Sequence, residues 1–156
     1  NTGATERYGF ELAANFSWNT WQLQTSFTQA SYRFSGLEDV SDSLKDKNLP
    51  GIPSTQMFMQ LEYITPSSWQ FQLTAEHIGR LFANNQNTVA VNAYQKVRLQ
   101  TSKGIALSWG ELSFFGGVNN LFDVRYYDNI RLNAFGSRHF EPAPGSNLFG
   151  GLSIAF

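Results

Sequence analysis

Two groups of residues carry side chains with chemistry to offer. The first is a set of charged and amide residues at alternating positions: Arg7, Glu11, Glu62, Gln72, Glu76, Arg80, Lys96 and Arg98. Any two of the carboxylates could be imagined as a general acid and base. Catalysis also needs a nucleophile, a base and an orienting group that converge on one point, and no spacing here supplies them. Charges hydrogen-bonded along a solvated face account for the pattern. The second group is Arg125, Tyr126, Tyr127, Asp128, Arg131, Arg138 and His139. Guanidinium groups offer paired donors to an anion and phenol rings offer flat faces, a combination suited to a negatively charged, partly aromatic ligand. Residues of these types are also ordinary in an exposed loop. His77 and His139 are the only histidines and there is no cysteine, so the three or four ligands of a resident metal site are not expected. His139 beside Arg138 could still touch a metal complex or haem arriving from outside.

Strands must position both groups. From Arg7 to Trp18 the even positions are Tyr8, Phe10, Leu12, Ala14, Phe16 and Trp18, while the odd ones are small, polar or charged. That period of two predicts a strand longer than those of most soluble sheets. Beyond Asn19-Thr20 the apolar set moves to odd positions, Trp21, Leu23, Thr25 and Phe27, the parity switch that a two-residue hairpin demands. Met57, Met59, Leu61 and Tyr63 are odd, and Trp69, Phe71, Leu73 and Ala75 remain odd across a three-residue link at Pro66-Ser67-Ser68. Val97, Leu99 and Thr101 continue the set, but Lys103 falls on the apolar side, which predicts a bulge near Ser102-Lys103-Gly104. A turn at Trp109-Gly110 leads into Leu112, Phe114, Gly116 and Val118, and the chain ends on Leu148, Gly150, Leu152, Ile154 and Phe156. Long polar links are expected over Ser35 to Pro53, around Ala83 to Thr88, and from about Arg125 to Gly145. About seven strands result, with short and long connections in alternation. Arg7, Glu11, Glu62, Gln72, Glu76 and Arg98 fall on the polar face, with Phe58, Ile64, Ile78, Phe115 and Phe149 as apolar exceptions.

The chain of 156 residues suffices for one domain, and its 15% charged residues fall below the roughly 25% of a soluble domain while aromatics also reach 15%. Mean hydropathy is −0.29, and no apolar run approaches the roughly 18 to 20 residues of a membrane-crossing helix. A chain polar on average yet rich in aromatics can still span a bilayer as a β-barrel, with alternate residues facing lipid. A net charge of −1 without a basic cluster excludes a nucleic-acid partner. Trp18, Trp21, Trp69 and Trp109 all fall at short turns. With Phe156 they would form one aromatic girdle if those turns sit at one membrane interface.

Gly117-Val118-Asn119-Asn120-Leu121-Phe122-Asp123, followed by Arg125-Tyr126-Tyr127, by Glu141-Pro142-Ala143-Pro144-Gly145 and by the terminal Phe156, resembles the last hairpin of a TonB-dependent outer-membrane receptor of the ferric-siderophore type. That family ends on a "GVxNLFDxxY" strand, an extracellular loop, a "PxPGRxF" segment and a strand finishing on Phe. The departure is Ser146, where the family usually has Arg. Asn1-Thr2-Gly3-Ala4-Thr5 through Leu12 is similar to the family's "NTGxTxxxGxEL", and Leu49-Pro50-Gly51-Ile52-Pro53 to its "LPGxP" loop.

The resemblance implies an all-β, antiparallel transmembrane barrel. Residues 1–156 would be the C-terminal strands, about seven of about twenty-two, with the N-terminal plug domain and earlier strands absent. It implies no enzyme and no resident cofactor. The expected role is a receptor in the outer membrane of a Gram-negative bacterium, importing a ferric siderophore or similar iron complex. Haem, cobalamin or another metal complex is the alternative cargo. Its expected partners are outer-membrane lipid, the iron–siderophore ligand, the barrel-assembly machinery reading Phe156, and the TonB–ExbB–ExbD energy-transducing complex acting through the missing part. Tyr126, Tyr127, Arg131, Arg138 and His139 would contact the ligand. A small passive barrel would need an eighth strand. A soluble lipocalin-like binder would turn its apolar face inward.

Overall fold

Alternating side chains give long antiparallel strands here, and almost everything else follows from their register. In the computed structural model, which describes residues 4–35 and 42–156, the elements are β1 (Ala4–Trp18), β2 (Trp21–Ser35), β3 (Thr55–Ile64), β4 (Trp69–Ile78), β5 (Leu81–Phe82), β6 (Ala90–Val91), β7 (Tyr94–Leu107), β8 (Gly110–Asn119), β9 (Tyr127–Ile130), β10 (Phe140–Pro142) and β11 (Asn147–Ala155). The opening Asn1-Thr2-Gly3 and the Gly36 portion of the first long link lie outside the described residues. One seven-stranded sheet runs in the order β1-β2-β3-β4-β7-β8-β11, so each long strand pairs with its sequence neighbour. Two small hairpins, β5 with β6 and β9 with β10, belong to the long connections.

The three short turns match the parity argument. Trp18 pairs with Trp21 across Asn19-Thr20, and Asn19 takes a positive φ of 52°, which asparagine tolerates at a tight turn. The second turn is closed by the Thr65 amide donating to the Trp69 carbonyl at 2.8 Å. At the third, Leu107 pairs with Gly110, so the turn residues are Ser108 and Trp109, one residue earlier than expected. Gly110 is required there because a Cβ would strike the Ala155 carbonyl oxygen.

Two further expectations need correction. No bulge occurs near Ser102-Lys103-Gly104: β7 keeps unbroken register with β4 and with β8, Lys103 pairing with Trp69 and with Phe114. Lys103 therefore stays on the apolar face, its ammonium 5.2 Å from the centre of the Trp69 ring, a position that lets a long aliphatic stem lie along apolar surface while the charge reaches an interface. The stretch from Arg125 to Gly145 is no plain loop either, since it folds into the β9–β10 hairpin.

Register also fixes strand tilt. The pair Trp18–Trp21 lies level with Tyr63, Phe71, Thr101 and Gly116, whereas the last pair before the third turn, Leu107–Gly110, lies six residues further along β7. At about 3.3 Å per residue this is about 20 Å of offset over four strand spacings of about 4.8 Å, a tilt of about 45°, as in transmembrane barrels. On that slant the four tryptophans fall along one line across the sheet. Trp21 stacks on Tyr63 at 4.4 Å, Trp69 meets Phe114 edge-on at 5.7 Å, and Trp109 contacts Phe156 at 5.7 Å.

The sheet has almost no core in the soluble sense. The buried apolar side chains among the described residues are Phe34, Leu81, Ala83 and Val91, all at the end carrying the long connections. Tyr8, Phe10, Leu12, Phe16, Leu148, Leu152 and Ile154 are exposed on one face. A continuous apolar face of this size is a surface for a solvent other than water.

Candidate functional site

The opposite face carries the polar set in one layer. Arg7 pairs with Tyr32, Glu11 with Thr28, Glu62 with Gln22 and Gln72, Glu76 with Lys96, and Arg98 with Thr74. Their common side follows from the two-residue period and from turns that flip or keep parity according to their length. Towards the long connections, β4, β7 and β8 bring these residues under the last loop. Lys96 Nζ lies 3.2 Å from Glu76 Oε2, and the Arg98 guanidinium donates to Gln100 Oε1 at 2.7 Å. Arg98 also covers the Phe149 ring at 4.6 Å. Tyr126 stacks on Tyr94 at 4.8 Å, with the Lys96 ammonium 5.6 Å from the Tyr126 ring. An open cavity of about 360 Å³ results, with Glu76, Lys96, Arg98, Tyr126, Asp128 and Asn147 in its wall.

Two of the apolar exceptions on this face, Phe115 and Phe149, have a local cause. Phe115 pairs with Gly151 and Phe149 with Gly117, and a Cβ on either glycine would sit 2.6 or 2.7 Å from the opposing ring. Each phenyl ring therefore lies across a strand with no side chain there. The two rings lie 6.4 Å apart, tilted by 41°, with Arg98 over Phe149.

The loop above the cavity is held by the Asn120 corner. Asn120 is buried, with a φ of 49°. Its amide oxygen accepts from the Val124 amide at 2.9 Å and its nitrogen donates to the Val124 carbonyl at 2.9 Å. Asp123 Oδ1 accepts from the Ser146 backbone amide at 2.8 Å, and Gly145 leaves room for that carboxylate because a Cβ would lie 2.6 Å from it. The contact uses the backbone of residue 146, so serine there serves as well as arginine. Asn119 donates to Asn147 Oδ1 at 3.0 Å, tying the end of β8 to the start of β11.

The five loop residues expected to meet a ligand do not form one cluster. Tyr126 lies at the cavity. Tyr127 stacks on Phe140 at 4.4 Å within the β9–β10 hairpin, and Arg131 forms an ion pair with Glu141 across it. Asn129 and Arg131 together hold the Glu141 carboxyl below the usual glutamate range. Arg138 is exposed. His139 is only 5% exposed, and its Nδ1 lies 3.1 Å from the Arg131 carbonyl, an acceptor that requires the proton on Nδ1. The imidazole is thus a hairpin brace. Tyr94 was missed from the sequence: it continues the polar-face parity of Lys96 and Arg98, but only the folded loop supplies its partner. Among the described residues no group of histidines and carboxylates could hold a metal ion.

The structure resembles solved receptors closely in fold. The ferric preacinetobactin receptor of Acinetobacter baumannii superposes with a TM-score of 0.80 at 14% identity, covering 96% of this chain and 22% of that one. The ferric yersiniabactin uptake receptor of Yersinia pestis gives 0.76 at 17%, covering 97% and 23%. The copper transporter OprC gives 0.73 at 19%, covering 97% and 24%. This chain therefore spans under a quarter of their length. A family profile described as "TonB dependent receptor-like, beta-barrel" matches residues 1–121, from the first strand into the Asn120 corner. The chain belongs to the TonB-dependent receptor β-barrel family.

Proposed function

We propose that residues 1–156 form the C-terminal strands of a larger barrel in the outer membrane of a Gram-negative bacterium, whose polar face lines the lumen. The receptor takes up an anionic iron chelate of the ferric-siderophore type, and import draws energy from the TonB–ExbB–ExbD complex through parts of the receptor outside this chain. In lipid, the free edges of β1 and β11 would leave backbone groups without partners, so further strands must close the sheet. That requirement speaks against a small passive barrel built from these strands alone. The apolar face speaks equally against a lipocalin-like binder, which would turn it inward.

The observation that carries the ligand assignment is the Lys96–Arg98–Tyr126 cluster, cations and a stacked phenol ring around an open cavity below the last loop. The same wall holds Glu76, paired with Lys96, and Asp128, so Arg98 is the cation most open to an anionic group, and the phenol ring offers its face to planar ones. With His139 folded into the hairpin, a haem-contacting histidine loses its support here. The test is binding of a panel of ferric siderophores to the complete receptor, with Lys96→Gln, Arg98→Gln and Arg138→Gln made singly. A charge-assisted hydrogen bond is worth about 1.5 to 3 kcal/mol, so loss of a true contact raises Kd by about ten- to a hundredfold. We expect that loss at Lys96 or Arg98, and a smaller one at the more peripheral Arg138. Unchanged affinity in all three would remove this cluster from the ligand path.

A further inference from the structure

We infer that the lipid-facing side of the sheet carries, at its outer rim, a site for a phosphorylated acyl lipid of the outer leaflet, built from His77, Arg125 and Phe122. The site rests on the membrane orientation proposed above, and its height follows from the register. Gln95 is twelve residues from Leu107 along β7, the residue that precedes the third short turn. At about 3.3 Å per residue and a tilt of about 45° this is about 28 Å of height above the third turn, and His77, eight residues from Trp69 on β4, stands about 19 Å above Trp69, which places the two at the upper edge of an apolar band about 25 Å tall. His77 pairs with Gln95 and shares its lipid-facing parity. Beyond β8 the chain runs alongside the top of β7, the Leu121 amide donating to the Val97 carbonyl at 2.8 Å. That contact brings Phe122, Val124 and Arg125 over the same place. A cavity of about 470 Å³ opens there, with His77, Gln95, Val97, Phe122, Val124 and Arg125 in its wall.

Two features set this cavity apart from bare barrel wall. His77 Nδ1 is buried and lacks a hydrogen-bond partner among the described residues. A bare lone pair is less costly to bury than a bare N–H, so the ring proton belongs on Nε2, which is not enclosed and is left as a donor. Arg125 is exposed and makes no ion pair among the described residues, whereas Lys96 and Arg131 each have a carboxylate. Beside these donors, Phe122 is 70% exposed and Val97 and Val124 continue the apolar band upward. The matching ligand has anionic oxygens at one end and hydrocarbon at the other. The guanidinium fork takes a phosphate, the imidazole adds a donor, and acyl chains lie along Val97 and Phe122.

The test uses the complete receptor, extracted in detergent and stripped of lipid, with bound lipid counted by native mass spectrometry. Bisphosphorylated lipid A, the same lipid after enzymatic dephosphorylation, and inorganic phosphate are the three probes. The parent should retain the bisphosphorylated lipid in preference to both others. Arg125→Gln should weaken that binding by about tenfold or more, as expected for one lost charge-assisted contact, and His77→Gln by less. Arg33→Gln removes a different cation from the lipid-facing parity and should leave binding unchanged. Equal retention of phosphorylated and dephosphorylated lipid, a response to inorganic phosphate alone, or equal losses at Arg33 and Arg125 would each overturn the site. A folded, heat-modifiable parent that ignores lipid defeats this site alone. A parent that fails to enter detergent or membranes as a folded barrel defeats the membrane orientation along with it.

Discussion

Leu73 and Gln72 are adjacent on β4 and point to opposite faces, which makes them the sharpest test of which face meets lipid. Leu73 lies level with Leu61 and Leu99, inside the apolar face on both sides. It is four residues from Trp69, which begins the strand just after the second short turn. At about 3.3 Å per residue and a tilt of about 45°, that is about 9 Å above the aromatic girdle, well inside a band about 25 Å tall. An arginine on the lipid face costs about 2 to 4 kcal/mol near the bilayer midplane, so Leu73→Arg should cost about 2 kcal/mol or slightly more, roughly a thirtyfold fall in the folded-to-unfolded ratio. Gln72→Arg sits between Glu62 and Gln100 on the polar face and should change stability by well under 1 kcal/mol. The assay is denaturant-induced unfolding of the complete receptor in lipid vesicles, read by tryptophan fluorescence and heat modifiability. Equal costs at the two positions, or a larger cost at Gln72, would refute the orientation.

Other consequences are equally open to measurement. Deleting Phe156 removes the partner of the Trp109 ring and the end of the last strand, and the amount of heat-modifiable receptor in outer membranes should fall; unchanged levels would free the terminal residue of any assembly role. Asn120→Ala leaves the part-buried Val124 amide and carbonyl without side-chain partners and should cost about 1 kcal/mol or more, visible as faster proteolysis of the Arg125 to Gly145 segment. Glu141 has a depressed pKa, so its contribution to the β9–β10 hairpin is complete above the ordinary glutamate range and is lost as pH falls through the lower folded value. Amide exchange at Arg131, whose N–H bonds to the His139 carbonyl at 2.8 Å, should therefore quicken below about pH 4 once intrinsic rates are divided out. Glu141→Gln should abolish that acid step.

Much of this fold was legible because a strand's period of two is local, and because each short turn either flips or preserves parity according to its length. The faces of Glu11, Glu62 and Glu76 needed nothing more. The false bulge at Lys103 came from treating a charge on the apolar face as a fault in register. The register is intact, and the fault is resolved by side-chain length, since the lysine stem reaches the Trp69 ring at the girdle. Composition cannot signal this, because it depends on which strand lies beside Lys103 and on the slant that brings Trp69 level with it.

The loop was less legible for a different reason. Arginine, tyrosine and histidine in a polar stretch read as exposed recognition groups, but a hairpin of a few residues needs internal partners, and the same side chains supply them. Arg131 is taken by Glu141, Tyr127 by Phe140, and His139 by the carbonyl of Arg131. Neighbouring connections join this hairpin through amides: Asn133 donates to Asn85, and Asn87 exchanges two hydrogen bonds with the backbone of Asn48. Three long links are therefore fastened together at the same end of the sheet. A ligand arriving from that side meets this fastened layer first, and within it the recognition chemistry is largely spent on holding the layer together. On the reading proposed above, the cation of the strand face open to a ligand is Arg98 on β7, since Lys96 is paired with Glu76, and its position is fixed by strand register rather than by loop conformation. Selectivity carried by such groups is rigid, so a variant that loosens the loop, such as Asn133→Ala, should speed ligand entry and exit together while leaving equilibrium affinity within a factor of a few. Measured association and dissociation rates of a ferric siderophore on the complete receptor decide the point: a loss of affinity as large as that of Arg98→Gln would mean that the loop, and not the strand face, holds the ligand.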